Sequence, residues 1–409
     1  MASSLRLLFV VPFSPRTDVM HGGRVVSQLL GRLVERNRVA VAYVRAPGSD
    51  PIDPDLAARC DVVEEVEVAS ADPEAADWRR RLHVLAAPLS GVPSQVASLR
   101  DRRFARVCSE LARSWQPDVI QVEHDQLAYC GRLMSRQSHA VRVLISHDPG
   151  VPASKDQALA SAGRQRLAHR IDAATWKRYW SRTLPAFDSI VTFTDQDGDV
   201  MAAAAPRAKV VTIGLGIDIP PAPLSSTGHG EPCVVFVGGY RHPPNADAAL
   251  RLIQSIMPLT RRRLPGLRLV LAGTDPGPKL LEAATEDDTV TGTVPSMTPF
   301  LDAAAVVALP LRLGGGMRVK LLEALAAGKA VVASSVAAAG LAVVDGEQLV
   351  LADTDEEFAQ AIARLVRDTE ARTRLGHNAR EWAMRNLTWD ARVREYEELY
   401  RSLLASQVP

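Results

Sequence analysis

The chain has 409 residues, of which 47% are hydrophobic and 23% are charged, and its 48 lysines and arginines oppose 47 aspartates and glutamates. These proportions indicate a globular protein of about two to three domains and exclude a disordered chain, a collagen-like repeat and a disulfide-dense miniprotein. A net charge of +1 argues against a dedicated nucleic-acid-binding protein.

The cysteines give no sign of a metal site or a disulfide framework. Cys60, Cys108, Cys130 and Cys233 match neither a CxxC pair nor a zinc-binding spacing. We therefore expect free thiols in a reducing compartment and a cytoplasmic location. The apolar stretch at residues 7–13 is too short to span a membrane and contains Pro12, so it predicts a first strand rather than a signal peptide.

Continuous apolar runs alternate with helix-like segments along the first half of the chain. The predicted strands lie at residues 5–11, 39–44, 62–68, 118–122, 141–145 and 189–193. Gly22 and Gly23 follow the first strand and precede an amphipathic helical stretch. Buried runs separated by helices are typical of a parallel, doubly wound α/β sheet.

This pattern stops at residues 220–232 (PPAPLSSTGHGEP), a composition typical of a linker. It then restarts, with predicted strands at 233–237, 267–272, 306–309 and 330–333 and helices over 355–406. We therefore predict a first domain at residues 1–219 and a second at 233–389. Parallel sheets bind ligands at the carboxyl ends of their strands, so a cleft between two such domains is the expected site.

The most informative segment is LGGGMRVKLLEALAAG at residues 313–328, where three glycines follow a predicted strand and open a helix. Such a loop exposes backbone N–H groups and the positive end of the helix dipole, which together favour a phosphate. Arg318 and Lys320 lie in the first turn, where cations oppose the dipole, so their position favours an anion between them.

Glu323 follows Lys320 by three residues and lies on the same helix face. A carboxylate at this position can accept two hydrogen bonds from a ribose diol. The alternative is a simple glycine turn followed by a solvated ion pair between Lys320 and Glu323.

Together with the two-domain layout, this segment resembles glycosyltransferase family 4, retaining enzymes with the GT-B fold. The family signature Glu-Ala-Met/Leu-Ala-x-Gly and the small apolar strand after it are matched by residues 323–328 and 330–333. Weaker matches follow the family order at residues 22–23, 192–195, 213–218 and 236–239. The resemblance implies two Rossmann-like domains that face a central cleft, with a last helix at about residues 390–409 that packs back on the first domain.

The chain departs from the family pattern at two places. Many members have two glutamates eight positions apart, whereas here Gly315 stands at the first position and Glu323 at the second. Many members also have an arginine and a Lys-Gly pair after the Phe-Val-Gly strand, where this chain has Gly239 and then YRHPPN at residues 240–245. It is similar to a subgroup with Pro-Pro-Asn here and GGGxRxK later, whose Arg and Lys are candidates to supply the missing positive charge.

The resemblance implies that a sugar moves from a nucleotide-diphosphate donor to an acceptor with retention and without a metal or other cofactor. The implied catalytic residues are His147, Arg318 and Lys320. The implied residues for the nucleotide and diphosphate are Gly22, Gly23, Gly238, Gly239, Arg241, Asn245, Gly273, Gly314, Gly315, Gly316, Met317, Arg318, Lys320 and Glu323. The resemblance does not identify the acceptor and leaves a glycan, a lipid-linked glycan and a small molecule as candidates.

Polar residues follow two predicted strands of the first domain. His147 follows the strand at 141–145, where similar enzymes place a histidine against the donor sugar; the alternative is a local turn. Glu123 and His124 follow the strand at 118–122 and are weaker candidates for an acceptor contact, against an ordinary loop.

Other chemistries have less support. No GxGxxG follows the first strand, which argues against a dinucleotide-dependent dehydrogenase. No Asp-x-Asp stands at a strand end, because the sequence at residues 195–197 is predicted to start a helix. Two alternatives remain: a nucleotide-sugar 2-epimerase on the same fold, and a non-catalytic glycosyltransferase-like subunit that binds a partner enzyme.

Residues 79–113 contain eight arginines with apolar residues between them. One interpretation is a solvated helix face with a loop. The other is a peripheral contact with an anionic membrane or a lipid-linked acceptor.

Overall fold

The computed structural model describes residues 4–17, 22–68, 91–134, 139–160, 163–225, 228, 231–313 and 318–407. Their contacts divide the chain into two compact units. The first unit holds the described residues of Met1–Leu215 and Arg392–Pro409, and the second holds those of Gly216–Gly314 and Arg318–Ala391.

The first unit is built on a seven-stranded parallel sheet in the order β3-β2-β1-β4-β5-β6-β7. Its strands are β1 Arg6–Val11, β2 Arg38–Arg45, β3 Val62–Glu67, β4 Val119–Glu123, β5 Val141–Ser146, β6 Ser189–Thr192 and β7 Lys209–Thr212. The helices between them are Gly22–Leu33, Pro54–Arg59, Ser94–Leu99, Arg102–Trp115, Ala128–Met134, Gly150–Ala160, Gly163–Thr183 and Asp195–Ala204, with 3₁₀ turns at Asp125–Leu127 and Leu184–Ala186.

The second unit is built on a six-stranded parallel sheet in the order β10-β9-β8-β11-β12-β13. Its strands are β8 Cys233–Val237, β9 Arg268–Ala272, β10 Asp288–Val290, β11 Val306–Leu309, β12 Val331–Ala333 and β13 Val350–Leu351. The helices are Pro243–Arg251, a π-helical turn Leu252–Ile256, Met257–Arg261, Pro278–Ala283, Thr298–Ala303, Val319–Ala326, Ser335–Ala338, Asp355–Arg367, Thr369–Asn386 and the C-terminal helix Trp389–Ala405.

The central strands are mostly apolar because both faces of each sheet are covered, with Gln121 and Glu123 of β4 as buried polar exceptions. Every residue of β4, β8 and β11 is buried. β1 pairs with β2 on one side and with β4 on the other, so Leu8 lies opposite both Ala40 and Ile120. This arrangement confirms the predicted α/β class with two parallel sheets.

The C-terminal helix is tied to the first sheet from Arg392 onward. Glu397 accepts a hydrogen bond from the Asn37 amide at 2.9 Å, and the oxygen of the same amide accepts one from the Leu5 N–H at 3.2 Å. Tyr400 donates a hydrogen bond to Gln121 of β4. These contacts hold the helix against the strands that end at the candidate site described below.

The arginine-rich segment is described only in part, because Arg79, Arg80 and Arg81 lie outside the described residues. In helix Arg102–Trp115 the apolar side chains, Phe104 among them, are buried, whereas the exposed face carries Arg102, Arg103, Arg106 and Arg113. This is the arrangement of an amphipathic helix whose exposed face is basic. Among the helices described, none has the length and apolar character needed to cross a membrane.

The proline-rich stretch at 220–232 is packed against the second unit where it is described. Ser225 N–H donates to the Asp302 carboxylate at 2.7 Å. The ammonium of Lys329, whose side chain is fully buried, donates to the carbonyls of Ser225 and Asp302. Burial lowers the pKa of Lys329 to about 8. A buried amine thus joins this stretch to the sheet.

Replacing Lys329 with Met would remove the hydrogen bonds that its ammonium donates to the two carbonyls. We expect Lys329→Met to lower the free energy of unfolding by about 1–3 kcal/mol, the contribution of hydrogen bonds from a charged donor. The measurement is urea unfolding followed by far-UV circular dichroism. Lys279→Met, at an exposed lysine, is the control; equal midpoints for the two variants would contradict this role.

Candidate functional site

Four rings line the carboxyl edge of the first sheet, one after each of four adjacent strands. Phe13 follows β1, His124 follows β4, His147 follows β5 and Phe193 follows β6. The two imidazoles stack with centroids 3.7 Å apart and planes at 10°. Phe13 meets His124 edge-on at 5.4 Å, and Phe193 meets His147 edge-on at 4.8 Å. The strand order therefore builds an aromatic row around His147.

His147 is hydrogen-bonded to a buried carboxyl group. Its Nε2 lies 2.6 Å from Oε2 of Glu123, which is 1% exposed and is the last residue of β4. The Gln121 amide donates to Oε1 of the same carboxyl group at 2.6 Å. Both carboxyl oxygens of Glu123 therefore have hydrogen-bond partners within the unit.

Burial determines whether Glu123 or His147 is protonated first. It raises the pKa of Glu123 to about 7, against smaller opposing effects of the Gln121 hydrogen bond and His124. It lowers the pKa of His147 to about 3 and holds the pKa of His124 well below its usual value. As pH falls, Glu123 is therefore protonated before either imidazole, and both rings stay neutral near pH 7.

His124 has an unusual backbone conformation, with φ 67° and ψ 142°. A side chain with a Cβ rarely adopts a positive φ, and such a residue costs about 1–3 kcal/mol. Its N–H donates to the Ile145 carbonyl at 2.9 Å, which fixes the turn after β4 to the neighbouring strand. The strained turn places the His124 ring flat against His147.

In the second unit, glycines allow two adjacent strand ends to approach each other closely. A Cβ on Gly273, which follows β9 with φ 150°, would lie 1.7 Å from the carbonyl oxygen of Gly238, which follows β8. A Cβ on Gly238 would lie 3.1 Å from the carboxamide carbon of Asn245. Asn245 is 4% exposed and donates to the Gly239 carbonyl at 2.9 Å.

Lys320 lies against the same amide. Its ammonium donates to Oδ1 of Asn245 and lies 5.1 Å from the centroid of the Phe236 ring. Burial lowers the pKa of Lys320 to about 7; the positive charge of Arg318 lowers it further, and the negative charge of Glu323 opposes them. Both basic residues stand at the start of helix Val319–Ala326, which has no acidic residue in its first turn. This helix end therefore concentrates positive charge that a bound anion would stabilise.

The remaining predicted site residues divide between the two units. Gly22 and Gly23 are the first residues of helix Gly22–Leu33. Arg241 is exposed on the surface of the second unit. The residues that lie outside the described part of the chain are Gly314, Gly315, Gly316 and Met317.

The sequence analysis missed the side chains that support the predicted ones, chiefly Gln121, Phe13 and Tyr400. It also had no signal for the stacking of His124 on His147, although both follow neighbouring strands. Within the described ranges, no group of three or more histidines, cysteines or carboxylates is placed to hold a metal ion.

The close approach of Gly273 to Gly238 at the ends of β9 and β8 predicts that a side chain at Gly273 destabilises the protein. In Gly273→Ala the new methyl group would collide with a backbone oxygen, so we expect a loss of about 1–3 kcal/mol of stability. Gly277→Ala is the matched control, because a Cβ there has no atom within 4 Å. Thermal unfolding of both variants is the measurement, and equal melting temperatures would contradict the close approach.

Comparisons with known proteins agree with this architecture. Residues 231–368 match the family described as glycosyl transferases group 1. D-inositol 3-phosphate glycosyltransferase of Corynebacterium efficiens is 24% identical over 349 residues, which cover 78% of this chain and 80% of that protein. An uncharacterized glycosyltransferase of Methanocaldococcus jannaschii is 33% identical over 93 residues, a match that spans 22% of this chain and 24% of that relative.

Solved structures show the same fold. Sucrose-phosphate synthase from Thermosynechococcus elongatus has a TM-score of 0.74 at 18% identity, with 98% of this chain and 100% of that chain covered. Anabaena HepE in complex with UDP and glucose has a TM-score of 0.65 at 15% identity, with 97% and 100% covered. The GT-B fold predicted from the sequence is thereby confirmed.

Proposed function

We propose that this protein is a family 4-like glycosyltransferase that moves a sugar from a nucleotide-diphosphate donor to an acceptor, with retention and without a metal ion. The observation that carries the proposal is the partly buried amine of Lys320 beside Arg318, with a neutral amide, Asn245, as its hydrogen-bond acceptor. Burial and the charge of Arg318 outweigh the negative charge of Glu323 and lower the pKa of Lys320 to about 7, so the ammonium is destabilised in the free protein. The negative charge of a diphosphate would stabilise it.

The chemistry requires stabilisation of the leaving group. As the bond between the sugar and the diphosphate breaks, negative charge grows on the phosphate oxygens and the sugar approaches an oxocarbenium-like state. Lys320, Arg318 and the N–H groups at the start of helix Val319–Ala326 can stabilise that charge without reorganisation during the reaction. In this scheme Arg318 and Lys320 supply the charge that the family's arginine and Lys-Gly pair supply elsewhere.

The nucleotide is assigned to the second unit. Gly238, Gly239 and Gly273 leave its backbone open at the ends of β8 and β9, where parallel sheets bind ligands. Glu323, one turn after Lys320, would accept hydrogen bonds from the ribose diol. The crystal structure of HepE, which has the same fold, contains UDP. UDP is therefore the first nucleotide to test.

The first unit contributes His147 to the sugar and the N-terminus of helix Gly22–Leu33 to the diphosphate. Since Nε2 of His147 is engaged by Glu123, its Nδ1 would meet a sugar hydroxyl. The acceptor, whether a glycan, a lipid-linked glycan or a small molecule, would act on donor taken from a cytoplasmic pool. The match to glycosyl transferases favours neither the 2-epimerase nor the non-catalytic subunit.

A thermal-shift panel with UDP, GDP, ADP and dTDP tests the donor site. At about 100 times its dissociation constant, the correct nucleotide stabilises the protein by about 2.7 kcal/mol. That corresponds to a rise of about 5–10 °C in melting temperature. We expect one nucleotide to give this shift and Glu323→Ala or Lys320→Met to reduce it strongly.

Glu282→Ala, at an exposed glutamate of the same unit, is the control and should keep the full shift. If none of the four nucleotides shifts the wild-type melting temperature, donor binding by this chain alone is excluded. An undiminished shift in both Glu323→Ala and Lys320→Met would place the nucleotide elsewhere.

A further inference from the structure

We propose that Gln121 and Tyr400 are positioning residues that hold Glu123 against His147 and so determine which imidazole nitrogen meets the donor sugar. The inference rests on the proposed function, because it assigns His147 to the sugar. It adds that the C-terminal helix, which carries Tyr400, takes part in the site through a chain of hydrogen bonds.

The series of hydrogen bonds links four side chains, all buried or nearly so. The hydroxyl of Tyr400 donates to Oε1 of Gln121, and Nε2 of Gln121 donates to Oε1 of Glu123. Oε2 of Glu123 is bonded to Nε2 of His147. Tyr400 is 0% exposed, and Gln121 and Glu123 are each 1% exposed. Water therefore does not compete for these bonds.

The direction of the chain follows from the donors and acceptors available. A glutamine amide has an oxygen that only accepts and a nitrogen that only donates. When Tyr400 donates to the oxygen, the nitrogen must face Glu123, which fixes Oε1 as its acceptor. Oε2 is then left for His147. Without the tyrosine hydroxyl, the amide orientation is no longer fixed. In the flipped orientation its oxygen disfavours the ionised carboxylate and favours the protonated acid, which would donate to Nε2 of His147 and so shift the imidazole to its other tautomer.

The result for His147 is a defined ring orientation. Nε2 is engaged by Glu123, and the rings of His124 and Phe193 pack against the imidazole. The described residues offer His147 no hydrogen-bond partner other than Glu123, so Nδ1 is the nitrogen left for a ligand. At pH 8, above the pKa of about 7 to which burial raises Glu123, the carboxylate is ionised and accepts a hydrogen bond from Nε2–H, so Nδ1 presents a lone pair.

The C-terminal helix is also held in place by a contact that does not involve the hydrogen bonds between Tyr400, Gln121, Glu123 and His147. Asn37 bonds to Glu397 at 2.9 Å, one turn before Tyr400. Removing the Tyr400 hydroxyl should therefore leave the helix docked while it releases Gln121. Tyr396 lies on the same helix with its ring 6.2 Å from that of Tyr400. Burial and the negative charge of Glu123 raise the pKa of Tyr396, but its hydroxyl makes none of the hydrogen bonds that link Tyr400 to His147, so it is the matched control.

The test compares Tyr400→Phe and Gln121→Met with wild type and with Tyr396→Phe as control. The first readout is the pair of imidazole ¹⁵N shifts of His147 at pH 8, assigned by their loss in His147→Asn. We expect a single Nε2–H tautomer in wild type and Tyr396→Phe. We expect a mixture of tautomers in Tyr400→Phe and Gln121→Met.

The second readout is the hydrolysis of UDP-, GDP-, ADP- and dTDP-glucose, with water as acceptor. For the donor that is turned over, we expect kcat to fall about tenfold to a hundredfold in Tyr400→Phe, as small misplacements do. The melting-temperature shift with the matching nucleotide should stay unchanged, because that nucleotide is assigned to other residues.

The outcomes separate the two proposals. Unchanged His147 shifts and unchanged turnover in both Tyr400→Phe and Gln121→Met would overturn the positioning role while the proposed function stands. Altered His147 shifts in a protein that neither binds a nucleotide nor hydrolyses any donor would support the hydrogen-bond chain and overturn the proposed function.

Discussion

Every strand in both sheets runs parallel to its neighbours, and this constraint determines where the candidate site residues lie. Parallel pairing sends each strand's carboxyl end to the same edge of its sheet, so residues far apart in sequence become neighbours there. The order β1-β4-β5-β6 lines up Phe13, His124, His147 and Phe193. In the second unit the adjacency of β8 and β9 brings Gly238 against Gly273.

Each unit also holds an ionisable group whose charged form is destabilised by burial. In the first, burial raises the pKa of Glu123 to about 7, so its carboxylate is destabilised although Gln121 and His147 are hydrogen-bonded to it. In the second, Lys320 is held by the neutral amide of Asn245 while Arg318 adds a second positive charge. Such groups cost stability in the free protein. Binding a sugar hydroxyl or a diphosphate would offset that cost, which is the physical basis of the proposed function.

The sequence predicted the central strands because burial on both faces makes them continuous apolar runs. It missed Lys209–Thr212, Asp288–Val290 and Val350–Leu351, which are edge strands and are short or carry polar residues. His147, Glu123 and Lys320 were identified by their place after a strand or at a helix start. Their partners were not identified, because Tyr400 meets Gln121 across 279 residues and Asn245 meets Lys320 across 75, separations for which no local pattern exists.

The central claim is that Lys320 becomes the charged partner of a nucleotide diphosphate. Its pKa of about 7 in the free protein means that at pH 8 most molecules lack the proton. A diphosphate would raise that pKa, so binding should take up a proton. Titration calorimetry with UDP, or whichever nucleotide binds, in two pH 8 buffers of different ionisation enthalpy measures this uptake. The account predicts uptake approaching one proton in wild type and little in Lys320→Met; binding without proton uptake, or equal uptake in Lys320→Met, would contradict it.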